Sequence, residues 1–332
     1  MPRVCVVFAV LFGCLSVLLA APGRAQSRAE FLSNRMPFAA FARLPKTDIK
    51  VDGTTLRVGF APGQPFQVGR DALLKWIARC ATAVTTYYGG MSIGRPKVLV
   101  VPVSGKGVRN GKAFPYRGGA IRVLIGSHST THDLNRDWIM VHEMLHLTFP
   151  SVGETHSWAH EGLAVYVESI ARVQAGHLPA QQIWRDFLAS MPKGLPGYGD
   201  RGLDHTPTWG RIYWGGALFW LLADIDYRKR TKNTKGLQHA LRAINAAGGR
   251  FANSWSIRRT FSVGDKAVGV PVLMELYEDM RAKPISTDLA QLWRDLGVQR
   301  RGRSVVFDNK APLAHIRRAI TAPPTKTPSG TL

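Results

Sequence analysis

Two histidines four residues apart constrain this chain more than any other feature. The stretch DWIMVHEMLHLTFP, residues 137–150, holds His142 and His146, with Glu143 beside the first and Pro150 closing the segment. The apolar spacing predicts a helix over 137–149 that stops at the proline. Residues four apart on a helix share a face, so both imidazoles can be offered to one ion. Glu143, displaced around the helix, can reach a water at that ion without binding it. Two imidazoles do not hold a catalytic zinc, which commonly takes three protein ligands and keeps one position open. The plainer reading is two half-exposed histidines on a core-facing helix. The metal reading requires a fold that brings a third ligand to this face.

The next helical stretch, WAHEGLAVYVES at 158–169, offers two candidates. Pro150, Ser151 and Gly153 favour a turn, so the second helix can fold back onto the first. His160 and Glu161 are adjacent, about 100° apart around a helix, and only one can face the ion. Spacing does not decide between them. Gly162 removes a side chain where close packing or substrate approach needs room. Glu168, seven residues beyond Glu161, lies on the same face and can hydrogen-bond a ligand histidine; otherwise it is a solvated acid.

The surrounding chain reads as a sheet-bearing part followed by a helical part. TLRVGF (55–60), KVLVVPV (97–103) and AIRVLIG (120–126) are strand candidates, and 71–88 has helical spacing. Residues 26–50 read as an irregular lead-in. Helices are expected at 158–175, 181–190, 212–230, 237–247, 270–281 and 289–296, with a long ordered Gly/Pro-rich loop at 191–211. The class is therefore α+β. The divisions are a 26–130 sheet-bearing part, a 131–320 helical zinc-binding part and a disordered tail at 321–332.

HEMLH followed by WAHEGLAVYVE resembles the gluzincin (peptidase MA-like) zinc metallopeptidases, in which HExxH precedes an EGLAxYxE helix. The form is closest to the M61 glycyl-aminopeptidase-like family and more distant from the M1 aminopeptidases. The resemblance implies a thermolysin-like zincin catalytic domain, a Zn²⁺ cofactor, Glu161 as the third ligand and a peptide or protein substrate. The 14-residue connection from His146 to Glu161 is shorter than is usual in the M1 enzymes. A second segment, TWGRIYWGGALFWLLADIDYRKRT at 208–231, resembles the element whose tyrosine stabilises the transition state. The matching residue is Tyr213, whose phenol would donate to a developing oxyanion. M1 aminopeptidases also carry a Gly-x-Met-Glu-Asn edge strand that holds the substrate's amino group. Its expected counterpart, 116–129, contains no acid, so aminopeptidase specificity does not follow.

Composition adds compartment and partners. Arg3, the apolar run 4–21 and small residues at 23 and 25 read as a signal peptide over 1–25, hence a secreted or periplasmic protein with no stable membrane span after cleavage. Its removal takes Cys5 and Cys14 away and leaves Cys80, a core residue by its apolar surroundings, so no internal disulfide is expected. The formal net charge of +22 falls to +20 without Arg3 and Arg24. Such charge predicts attraction to an anionic envelope surface; no nucleic-acid-binding motif accompanies it. The basic clusters 228–235 and 299–303 read as solvated faces. A different functional class, a non-catalytic envelope protein on a peptidase scaffold, would use the charge alone. His128, His132, His156 and His205 read as surface or loop residues, with Asp204 and His205 the best candidates for a further role.

Overall fold

The computed structural model describes residues 28–90 and 94–324. The expected signal peptide and residues 325–332 of the expected tail lie outside them. A five-stranded mixed sheet is built from β1 (Lys46–Val51), β2 (Thr54–Phe60), β3 (Lys97–Val103), β4 (Val108–Phe114) and β5 (Ala120–Gly126), in the order β1-β2-β3-β5-β4. β2, β3 and β5 run parallel, and β1 and β4 add antiparallel edges. The β1–β2 turn uses Asp52 and Gly53 at φ 43° and 78°. An Asp-Gly pair reaches this left-handed region at little cost.

β3 lies at the centre and is nearly all buried, as its β-branched run requires. Its alternation feeds two cores. Val98 and Val100 join the main core, with α3 (Gly69–Tyr88). Leu99 and Val101 join a smaller cluster with Phe31, Phe41 and Phe114. That cluster is covered by α1 (Arg28–Leu32) and α2 (Phe38–Arg43). The lead-in expected to be irregular therefore holds two short helices and β1. They escape a sequence reading because the helices are short and β1, KTDIKV, is charged and largely exposed.

After α4 (Thr131–Asn135) come α5 (Ile139–His146) and α6 (Ser157–Gln174), followed by α7 (Ala180–Ser190), α8 (Gly216–Arg230), α9 (Leu237–Ala246), α10 (Ile257–Val268), α11 (Val272–Met280) and α12 (Leu289–Leu296). A hairpin, β6 (Val298–Arg301) and β7 (Ser304–Phe307), precedes α13 (Ala314–Thr321). α13 ends where the tail was expected to begin. The mixed sheet followed by a helical half is the α+β arrangement expected.

α6 is the organising helix. It packs against α3, α5 and α8 and buries Trp158, Tyr166, Val167 and Ile170. Gly162 faces Gly216 of α8 so closely that a Cβ on Gly162 would overlap the Gly216 backbone. The space this glycine provides thus goes to a helix crossing beside Glu161. No described helix is long and apolar enough to cross a membrane. Cys80 is buried and unpaired, as expected of a core thiol, and burial raises its pKa.

Candidate metal and catalytic site

α5 begins where the Asp137 carboxylate accepts from Ile139 N and Met140 N, both at 3.0 Å. This satisfies two of the free N–H groups of the first turn. Burial, the largest influence, pushes the Asp137 pKa up to about 6 against these bonds and nearby Arg172. The helix then runs through the main core on Met140, Val141, Met144 and Leu145. His142, Glu143 and His146 are themselves only 5%, 9% and 8% exposed. They are not the half-exposed histidines of an ordinary amphipathic helix. Buried polar groups need partners, and α6 brings them.

The connection between the two helices is tied down along its length. Ser151 N donates to Asn253 O, and Trp255 N donates to Ser151 O. Gly153 takes φ 86°. His156 Nδ1 lies 2.9 Å from Asp204, whose carboxylate also accepts from Trp158 Nε1 and the Tyr277 hydroxyl. Asp204 is thus a fastening point for the connection, while its neighbour His205 is exposed. His128 and His132 are exposed as well.

Glu161 emerges in the first turns of α6 with Oε2 3.1 Å from His142 Nε2 and 3.6 Å from His146 Nε2. One ligand atom from each of the three residues lies within 4.8 Å of the others. Burial would raise the Glu161 pKa, but the two imidazoles outweigh it and hold the carboxyl well below the usual range. His146 shows the converse: burial lowers its pKa, and Glu161 and Glu143 more than reverse this. Two nitrogen donors and one carboxylate, converging in a buried pocket open on one side, fit a zinc ion that keeps a free position. His160, the competing third ligand, turns elsewhere. Its Nδ1 stands 3.1 Å from His146 Nδ1 and its Nε2 2.8 Å from the Pro150 carbonyl. Removal of its ring from water, followed by the proximity of His146, pushes its pKa down to about 3.

Glu168 is buried, not solvated. Its carboxylate accepts from Arg172 Nη1 at 2.5 Å and from Ser169 Oγ at 3.2 Å. The structure pairs it with Arg172, one turn along the same helix, in place of the expected histidine of α5. His142 Nδ1 is buried without a hydrogen-bond partner. Burial raises the Glu168 pKa despite Arg172, with His142 a smaller opposing influence.

Tyr213 sits in a π-helical turn, Gly210–Gly215, that leads into α8. Such turns are rare and cluster at functional sites. Its ring stacks on Trp209 at 5.9 Å. Burial, then the carboxylates of Glu161 and Glu143, raise its pKa, which keeps the phenol protonated as a donor. The expected loop at 191–211 holds it in place. Gly194 and Gly210 approach neighbouring backbone too closely for any side chain. Arg211 Nη1 donates to Gly194 O at 2.6 Å.

His142, Glu143, His146, His160, Glu161 and Tyr213 all line one cleft of about 540 Å³. Its opposite wall is β4, Arg109–Ala113, at the open edge of the sheet. Sequence reading put this wall at 116–129. The structure assigns it to 108–114, because β5, at 120–126, lies inside the sheet between β3 and β4. β4 was missed because VRNGKAF has one β-branched residue and a bulge between Val108 and Asn110. The revised strand carries no acid either, only Arg109 and Lys112. Gly111 makes the closest approach: a Cβ there would stand 2.6 Å from both Glu143 Cγ and Ile139 Cγ2.

No family profile and no curated protein matches the sequence. Solved structures do match it in fold. An aminopeptidase N family protein from Idiomarina loihiensis superposes with a TM-score of 0.55 at 13% identity, over 77% of this chain and 50% of the other. An M1 zinc metallopeptidase variant from Deinococcus radiodurans, bound to a Tyr-Ser-Ala substrate, gives 0.48 at 15% identity over 73% and 53%. Native yeast LTA4 hydrolase gives 0.47 at 14% identity over 76% and 43%. The chain spans about half the length of these structures or less. At such identity the likeness is one of fold alone.

Proposed function

We propose that this chain is a zinc-dependent metallohydrolase that cleaves peptide bonds, with a thermolysin-like arrangement of its site. The observation that carries the reading is the convergence of His142, His146 and Glu161 ligand atoms within 4.8 Å, with Glu143 and Tyr213 lining the same cleft. His142, His146 and Glu161 would hold the ion. Zinc bound there would supply Lewis acidity, which acidifies water and polarises a carbonyl.

The remaining work falls to side chains of this chain. Glu143, one residue from a ligand and at the cleft surface, takes the proton of the attacking water and returns it to the departing amine. Tyr213, kept protonated, donates its O–H to the oxyanion as charge develops. The free edge of β4 offers backbone N–H and C=O groups that an extended peptide can pair with. The kinship to the M61 family is supported by the EGLAVYVE helix and the YWGGA segment. Export is supported by the sequence leader at 1–25 and places the substrate outside the cytoplasm, where the basic surface meets anionic polymers.

Glu161→Ala tests the ligand set. Zinc measured on the purified protein should be one per chain in the wild type and well below one in the variant, with the fold retained by circular dichroism. A wild type that purifies without zinc, takes up none on addition and yet binds anionic polymer would leave the non-catalytic scaffold as the better account.

A further inference from the structure

The two histidines of α5 present their Nε2 atoms to Glu161, but their other nitrogens meet different surroundings. His142 Nδ1 is buried with no partner. His146 Nδ1 stands 3.1 Å from His160 Nδ1, and His160 Nε2 stands 2.8 Å from the Pro150 carbonyl oxygen.

Pro150 fixes the sense of this chain of contacts. A carbonyl only accepts, so His160 Nε2 carries a hydrogen. A neutral His160 then has a bare Nδ1, which can only accept. Two bare nitrogens at 3.1 Å would repel, so His146 Nδ1 carries the next hydrogen. In the neutral His146 ring that leaves Nε2 with its lone pair turned to the ligand cluster. We propose that His160 is a positioning residue for metal binding: it relays the Pro150 carbonyl to His146 and holds that ligand in its metal-ready tautomer. The proposal rests on the zinc reading only for its consequence; the tautomer belongs to the metal-free protein.

The packing supports a dedicated role. The His160 ring is held between Phe149, at 5.4 Å, and Phe251, at 4.9 Å between ring centroids, which fixes its plane. α5 ends at His146 with Leu147 as its C-cap, and Pro150, four residues on, has no backbone N–H, so its carbonyl lies beside the relay with the helix already closed. Ligand histidines elsewhere donate their second nitrogen to a carboxylate, carbonyl or water; here a second imidazole stands between the ligand and the carbonyl. Without His160, Glu161, 3.6 Å from His146 Nε2, becomes the nearest acceptor. The hydrogen then moves to Nε2 and blocks the lone pair.

His160→Phe keeps an aromatic ring between Phe149 and Phe251 but removes the acceptor. His160→Asn restores an acceptor oxygen near the position of Nδ1. Two readouts separate the tautomer from the zinc reading. Long-range ¹H–¹⁵N correlation spectra of the metal-free protein at pH 8 report which nitrogen of His146 is protonated. Chelator competition reports zinc affinity. Wild type should show His146 protonated on Nδ1; His160→Phe should show Nε2 and lose about 10- to 100-fold in zinc affinity; His160→Asn should regain Nδ1 and most of the affinity. Nε2 protonation in the wild type overturns the relay without any substitution. So does zinc affinity unchanged in His160→Phe, or His160→Asn as weak as His160→Phe. A wild type with the expected tautomer and no zinc affinity would instead refute the metal reading alone.

Discussion

The two walls of the cleft are built on opposite principles. The helical wall, α5 and α6, buries His142, Glu143 and His146; Glu161 meets both histidines, and His160, itself held by the Pro150 carbonyl, meets His146. The strand wall, β4, exposes Arg109, Asn110 and Lys112 and contributes no carboxylate. At Gly111 it comes close to Glu143 and Ile139 of the helical wall. Reacting groups need fixed positions, and buried, hydrogen-bonded side chains have them. Recognition of an extended chain needs free backbone groups, and a sheet edge has those. The division assigns chemistry to the helices and substrate alignment to the strand.

Substitutions on each wall test that division. Tyr213→Phe, on the helical side, removes the proposed oxyanion donor and should lower kcat by about 10²–10³-fold with zinc content unchanged. An unchanged kcat would make the tyrosine a packing residue against Trp209. Gly111→Ala crosses the boundary between the walls, because its new methyl group must displace Glu143 or the strand. Misplacement of about 1 Å at a catalytic group can cost about 10²-fold, so kcat/KM should fall by about 10- to 100-fold with zinc retained. Full activity in this variant would show that β4 stands off Glu143. Arg109→Gln and Lys112→Gln, on the exposed strand, should change kcat less than about threefold and act mainly on the salt dependence of substrate capture, as rim charges do. A large kcat loss would move chemistry onto the strand and end the comparison.

Much of the helical wall was legible in the sequence, because its logic is periodic. The four-residue spacing of His142 and His146 and the glycines around Tyr213 are local signals with local causes; the expected stop at Pro150 falls too late, because α5 closes at His146. Two things were not legible. The choice between His160 and Glu161 depends on the rotation of α6, which long-range packing sets through Gly162 against Gly216. Spacing left it open, and only the resemblance pointed to Glu161. The partner of Glu168 was misread for a related reason: Arg172, four residues on, was available and nearer in sequence than any histidine. The strand wall was the least legible part. β4 is short on β-branched residues and interrupted by a bulge, so its strand character comes from pairing with β5. α10 was overlooked although Ile257, Phe261, Gly264 and Val268 are its buried face, because Gly264 and β-branched residues lower its helix propensity.

The central claim is that the helical wall holds zinc and that Glu143 acts beside it. A peptide-library cleavage profile of wild type and Glu143→Gln, with zinc measured on both samples, tests it most directly. The account predicts one zinc per chain in each and a loss of cleavage of about 10²–10⁴-fold in the variant. A wild type without zinc, or a variant that cleaves as fast as wild type, would contradict it.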